Sequence, residues 1–86
     1  MSEFEADLKF VYILQSVPEP ENFYVGLTDD VDARLGRHNA GHVAHTSKFA
    51  PWRIKNTIGF ADEQRAVEFE RYLKSGSGRA FAKKHF

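Results

Sequence analysis

Apolar residues open the chain in two short blocks, Phe10-Val11-Tyr12-Ile13-Leu14 and Phe23-Tyr24-Val25-Gly26-Leu27, both rich in aromatic and β-branched side chains. This pattern predicts strands over 9–15 and 23–27. Val17-Pro18-Glu19-Pro20-Glu21-Asn22 separates them. Two prolines there rule out helix, and so short a connection favours antiparallel pairing, which sets Tyr12 and Tyr24 on neighbouring strands. Thr28-Asp29-Asp30 supplies an N-cap and early acids, so a helix follows to about Ala40, where Gly41 ends it. A loop covers 41–51. Ile54 and Ile58 among polar residues predict a half-buried strand from Trp52 to Phe60. Asp62 caps a second helix to about Lys74, with Ala66, Phe69 and Leu73 as its apolar stripe. Ser75-Gly76-Ser77-Gly78 breaks that helix, and Arg79 to Phe86 reads as a short terminal one. The class is α+β, in the order ββαβαα.

Several polar residues disturb this pattern. Arg34 and His38, four apart, border the thin stripe of Val31 and Leu35 that should face the sheet. Glu70 lies on the apolar stripe of the second helix, four after Ala66 and three before Leu73. Such placements are costly unless the groups are paired or line a cleft. An ion pair of Glu70 with Arg71 or Arg34 is the plain structural reading. The chemical reading joins them: two phenols, a guanidinium, an imidazole and a carboxylate are the parts needed to cut a phosphodiester with one divalent metal. A hard carboxylate ligand suits Mg²⁺ or Mn²⁺. For the base that activates water, Tyr12 and His38 both qualify. His38 needs the smaller shift, because a histidine ordinarily titrates near about 6.5 and a tyrosine near about 10. The spacing of His38, His42 and His45 resembles zinc ligation, but Gly41 interrupts the helix between the first two and no cysteine completes a set.

Eighty-six residues form one small domain, 1–86, with residues 1–8 as an acidic arm. No cysteine supports disulfides, and the longest apolar run is far too short to cross a membrane. The start of the chain lacks a signal-peptide pattern, which favours the cytoplasm, and a monomer is the default expectation. The zero net charge conceals a division: residues 1–32 sum to −7 and residues 33–86 to +7. Lys74, Arg79, Lys83, Lys84 and His85 cluster around the glycine-rich break. A helix start there offers backbone amides to a phosphate, so Lys74, Arg79, Lys83 and Lys84 are candidate nucleic-acid contacts.

Taken together the residues resemble the GIY-YIG nuclease superfamily, especially its small single-domain bacterial members. Phe10-Val11-Tyr12 stands at the first motif, with Phe10 and Val11 in place of glycine and isoleucine, and Tyr24-Val25-Gly26 at the second. Thr28, Val31, Arg34, Leu35, His38, Asn39 and Gly41 resemble the family's helix and turn, Thr46 and Pro51-Trp52 the entry to its third strand. Ala66-Val67-Glu68-Phe69-Glu70 with Leu73-Lys74 resembles the helix of the metal-binding glutamate. Leu27 replaces a lysine of the excision-repair relatives, and no asparagine follows Glu70, where some relatives use one. The resemblance implies a three-stranded antiparallel sheet flanked by helices and metal-dependent hydrolysis of DNA, with RNA as a further possible substrate. Tyr12, Tyr24, Arg34, His38 and Glu70 are then the catalytic set, with Glu70 on the metal. Competing readings are a non-catalytic nucleic-acid-binding module of the same fold, and a protein-interaction domain using the acidic N-terminal third.

Overall fold

The computed structural model describes residues 8–86. Of the acidic arm expected over 1–8, only the half-buried Leu8 lies among them. Three strands, β1 (Lys9–Ser16), β2 (Phe23–Thr28) and β3 (Trp52–Phe60), form an antiparallel sheet in the order β2-β1-β3. The helices are α1 (Val31–Asn39), α2 (Glu63–Leu73) and α3 (Gly76–His85), and a 3₁₀ turn covers Ser47–Phe49. The order is ββαβαα, as expected. Among the described residues no helix is long and apolar enough to cross a membrane.

The most apolar strand takes the centre, because a central strand buries both faces. Side chains alternate along it. Tyr12 and Leu14 pack with Trp52, Val31 and Leu35 on the α1 side, whereas Val11 and Ile13 pack with Ala66, Leu73 and Phe81 on the α2–α3 side. The sheet is therefore the middle of three layers. Simple alternation in β3 would put Ile54 and Ile58 on one face. Instead the register slips: Ile13 pairs with Asn56 but Leu14 with Ile54, leaving Lys55 as a bulge. Ile54 thereby faces the α1 layer with Leu14, and Ile58 stands opposite Val11 on the other face.

Helix ends follow local chemistry. Asp30, not Thr28, is the N-cap of α1: its carboxylate accepts from the Ala33 amide at 3.1 Å, while the Thr28 hydroxyl accepts from the Asp30 amide. At the other end Gly41 has φ 79°, and the amides of Gly41 and His42 donate back to the carbonyls of His38 and Arg37. This is the paired closure that a left-handed residue allows. Asp62 caps α2 as expected. The third helix requires a correction. It starts at Gly76, three residues before Arg79, because the Ser75 hydroxyl accepts from the Gly78 amide at 3.1 Å and holds the glycine segment as a first helical turn.

Candidate active site

Tyr12 lies mid-strand in β1, opposite Gly26 of β2. Its ring passes directly over that glycine: any Cβ at position 26 would overlap the Tyr12 ring and hydroxyl. The absent side chain lets the phenol cross toward α1. There, one helical turn apart, Arg34 and His38 project onto it.

The contacts form one directional chain. The hydroxyl proton of Thr46 goes to the Val43 carbonyl at 3.2 Å. Thr46 Oγ1 can then only accept from His38 Nδ1, 2.8 Å away. This pattern assigns the proton to Nδ1 and leaves Nε2 as an acceptor. Tyr12 accordingly donates its hydroxyl proton to His38 Nε2 at 3.0 Å, and Arg34 Nε donates to the Tyr12 oxygen at 3.4 Å. Tyr24 closes the group, its ring centroid 4.7 Å from His38 and 6.2 Å from Tyr12. Tyr12, His38 and Thr46 are buried, and Arg34 is half-buried over the phenol.

Burial shifts the titrations apart. Desolvation, helped by the nearby Arg34 and Arg37 charges, pushes the His38 imidazole below its usual range, so it rests neutral. Desolvation also raises the Tyr12 phenol; the Arg34 hydrogen bond opposes this rise, and the charges of Tyr24 and Glu70 add to it. Arg34 is held still more firmly in its charged form, first by its bond to Tyr12. The resting pair is thus a protonated phenol beside a neutral imidazole, with its proton already aimed.

The loop carrying Thr46 is fastened from several sides. Asn39, last residue of α1, accepts from the Trp52 amide at 2.6 Å and donates to the Trp52 carbonyl at 3.1 Å. Trp52 Nε1 donates to the Thr46 carbonyl, and the Ser16 hydroxyl donates to the Phe49 carbonyl. Thr46 is the residue that periodicity misses. It lies in a loop with no repeating pattern, and its position in the GIY-YIG-like segment before the third strand is its one trace in the sequence. Thr46→Val should leave the buried Nδ1–H without a partner. We expect turnover to fall about 10- to 100-fold, as when the outer partner of a functional histidine is lost, with roughly 1–3 kcal/mol of stability lost as well. Thr46→Ser should restore both, as read by single-turnover rates and thermal melts.

The charge of Glu70 adds to the rise of the Tyr12 phenol as the weakest of its causes. The partner of Glu70 is neither Arg71 nor Arg34. Lys74 Nζ lies 2.5 Å from Glu70 Oε2, one turn along α2, and the Glu70 side chain retains 19 % of its exposure. A single accessible carboxylate suits a small divalent ion that keeps several of its waters. His42 and His45 are exposed and take no part in the chain through His38. Arg79, Lys83 and Lys84 are exposed on α3, which packs on the α2 side of the sheet, so the fold does not bring them to Tyr12 and His38.

Sequence comparison covers the whole segment that carries these residues. The GIY-YIG catalytic domain family matches residues 8–84. The chain belongs to the GIY-YIG family. The matching model is that of the family's catalytic domain. The structure-specific endonuclease subunit SLX1 of Scheffersomyces stipitis is 40 % identical over 67 residues, covering 70 % of this chain and 20 % of that protein. A UPF0213 protein of Halalkalibacterium halodurans is 34 % identical over 71 residues, covering 81 % of this chain and 73 % of its own. Another, from Lacticaseibacillus paracasei, is 43 % identical over 54 residues, covering 62 % and 61 %. This GIY-YIG chain spans about a fifth of the length of the SLX1 relatives it matches.

Proposed function

We propose that this domain is a metal-dependent endonuclease that hydrolyses phosphodiester bonds in DNA, with Tyr12 meeting the attacking water and His38 receiving the proton. The directional chain from Arg34 through Tyr12 and His38 to Thr46 carries this reading. Both His38 nitrogens are engaged within the protein, whereas the equally buried Tyr12 hydroxyl is covered by the movable Arg34 side chain, so water meets the phenol rather than the imidazole. As water attacks phosphorus, its proton passes to Tyr12 Oη while the phenol's own proton passes to His38 Nε2. The bond from phosphorus to the leaving oxygen then breaks, and that oxygen takes a proton from solvent to leave as a hydroxyl. The phenol is neutral before and after, as its raised pKa requires, and His38 becomes an imidazolium whose lowered pKa makes it give its proton up again to solvent. Arg34 turns from the phenol to the phosphate, uncovering Tyr12, and its planar fork matches two phosphoryl oxygens. Tyr24 orients the water or the phosphate. Glu70 would hold Mg²⁺ or Mn²⁺, with Lys74 displaced, and the ion would supply charge for the phosphate and the leaving oxygen.

Incubation with labelled single-stranded, duplex and branched DNA, with and without Mg²⁺ or Mn²⁺, tests this directly. Cleavage that requires the metal supports it; binding without a product in either metal contradicts it. SLX1 relatives are named structure-specific endonucleases, which makes branched DNA the first substrate to try.

The DNA track is assigned by salt. Arg37 and Lys48 are exposed on the Tyr12 side, and Lys48 lies over Phe49. Neutralising both should make the slope of log affinity against log salt shallower by up to about 0.9 per lost contact on duplex DNA, or about 0.7 on single strands. Neutralising Arg79, Lys83 and Lys84 together should change it less, because α3 packs on the sheet face away from Tyr12. Equal slopes before and after the first change would move the track to α3.

A further inference from the structure

Hydrolysis of a phosphodiester needs charge and a proton acceptor but no aromatic cleft, and the structure has one beside the relay. A cavity of about 190 Å³ is lined by Tyr24, Thr46, Phe49 and Trp52, with Asn22 and His45 also on its wall. The Phe49 and Trp52 rings meet edge to face at 6.3 Å, and the indole is pinned by its bond to the Thr46 carbonyl. Two of its walls, Tyr24 and Thr46, also touch His38, so an occupant sits next to the reacting centre.

The chemistry of the walls selects the occupant. The half-buried Tyr24 and Phe49 rings, backed by the buried Trp52, offer a surface to a nucleobase, whose faces stack whatever its identity. The Asn22 amide and His45 imidazole can pair with the edge of a base. The cavity is smaller than the roughly 300–1,000 Å³ of sites that enclose drug-sized ligands, so it fits one ring system and not a base pair. The other cleft, about 420 Å³, is walled by Asp29, Asp30 and Asp32 and repels a polyanion. A base within a continuous duplex is already stacked on both faces, and drawing it out is cheapest where it is unpaired.

We propose that the Tyr24–Phe49–Trp52 cleft takes one unpaired nucleobase next to the scissile phosphate, so that DNA with a single-stranded or branched nucleotide at the cut is preferred over continuous duplex. This rests on the nuclease reading above and adds its substrate class.

The test uses a duplex ending in a single-stranded arm, with 2-aminopurine, adenine or an abasic residue at the first unpaired position. A fully paired duplex serves as control. Binding is measured in EDTA and cleavage in Mg²⁺ and in Mn²⁺. The abasic substrate should bind roughly 5- to 150-fold more weakly than the adenine one, the loss expected for one stacked base. The 2-aminopurine fluorescence should fall on binding. Phe49→Ala and the exposed His45→Ala should narrow the adenine-to-abasic difference; a difference unchanged in both variants overturns the assignment to this cleft. Equal binding and cutting of the adenine and abasic substrates by the unmodified protein overturns the proposal, whether or not the variants fold. Cutting without base preference leaves the nuclease reading standing and removes the cleft. Base preference in EDTA with no cutting in either metal does the reverse.

Discussion

Glu70→Gln is expected to reduce cleavage by about 10²- to 10³-fold or more while the fold and much of the DNA affinity remain. The side chains are nearly identical in shape, but the amide lacks the charge that holds a divalent ion. An ion that offsets charge on a phosphoryl oxygen contributes several kcal/mol to the transition state, and each decade in rate is about 1.4 kcal/mol. Stability should barely change, because the Glu70–Lys74 pair is partly exposed and such pairs contribute little. Mn²⁺ titration followed calorimetrically, together with single-turnover cleavage, checks both parts. Unchanged cleavage by Glu70→Gln would remove this residue from the metal site.

Arg34→Ala should lower turnover by roughly 100-fold or more, the scale of losing one donor aimed at developing charge. Its guanidinium bonds the Tyr12 hydroxyl and is half-buried, so it is held beside the reacting centre before it turns to the phosphate. Arg34→Lys should rescue poorly, because an ammonium cannot span two oxygens in one plane. Affinity for DNA should weaken less than turnover. Loss of affinity with an intact rate constant at saturation would make Arg34 a docking residue only.

Much of this was legible in the sequence for a physical reason: strands and caps are local. The two aromatic blocks, the Asp62 cap and the turn at Gly41 each depend on a few adjacent residues, and all three stand where the pattern puts them. The bulge at Lys55 was not legible, because register depends on what the neighbouring strand requires. Nor was the early start of α3, where a serine cap outweighs the poor helix propensity of Gly76 and Gly78. In the site, the helical spacing of Arg34 and His38 announces a shared face. The direction of the proton chain does not show in the sequence, because it depends on Thr46, eight residues past His38 in a loop. Ordinary pKa values favour His38 as the group that meets water. The engagement of both its nitrogens, with Tyr12 set between it and Arg34, is a tertiary fact that leads us to propose Tyr12 instead.

That choice is tested most directly by single-turnover cleavage against pH for the unmodified protein, Tyr12→Phe and His38→Ala, in Mg²⁺ and again in Mn²⁺. His38 must be neutral to take the proton, and its pKa is lowered, so the rate should rise with pH below the usual histidine range and be level by neutrality. Tyr12→Phe should be nearly inactive at every pH. His38→Ala should lose the acid limb and retain a small activity that climbs into the alkaline range, where the phenol, its pKa raised, must give its proton to solvent. The result that would contradict the account is an active Tyr12→Phe with a dead His38→Ala, or a limb that moves with the metal and survives both substitutions.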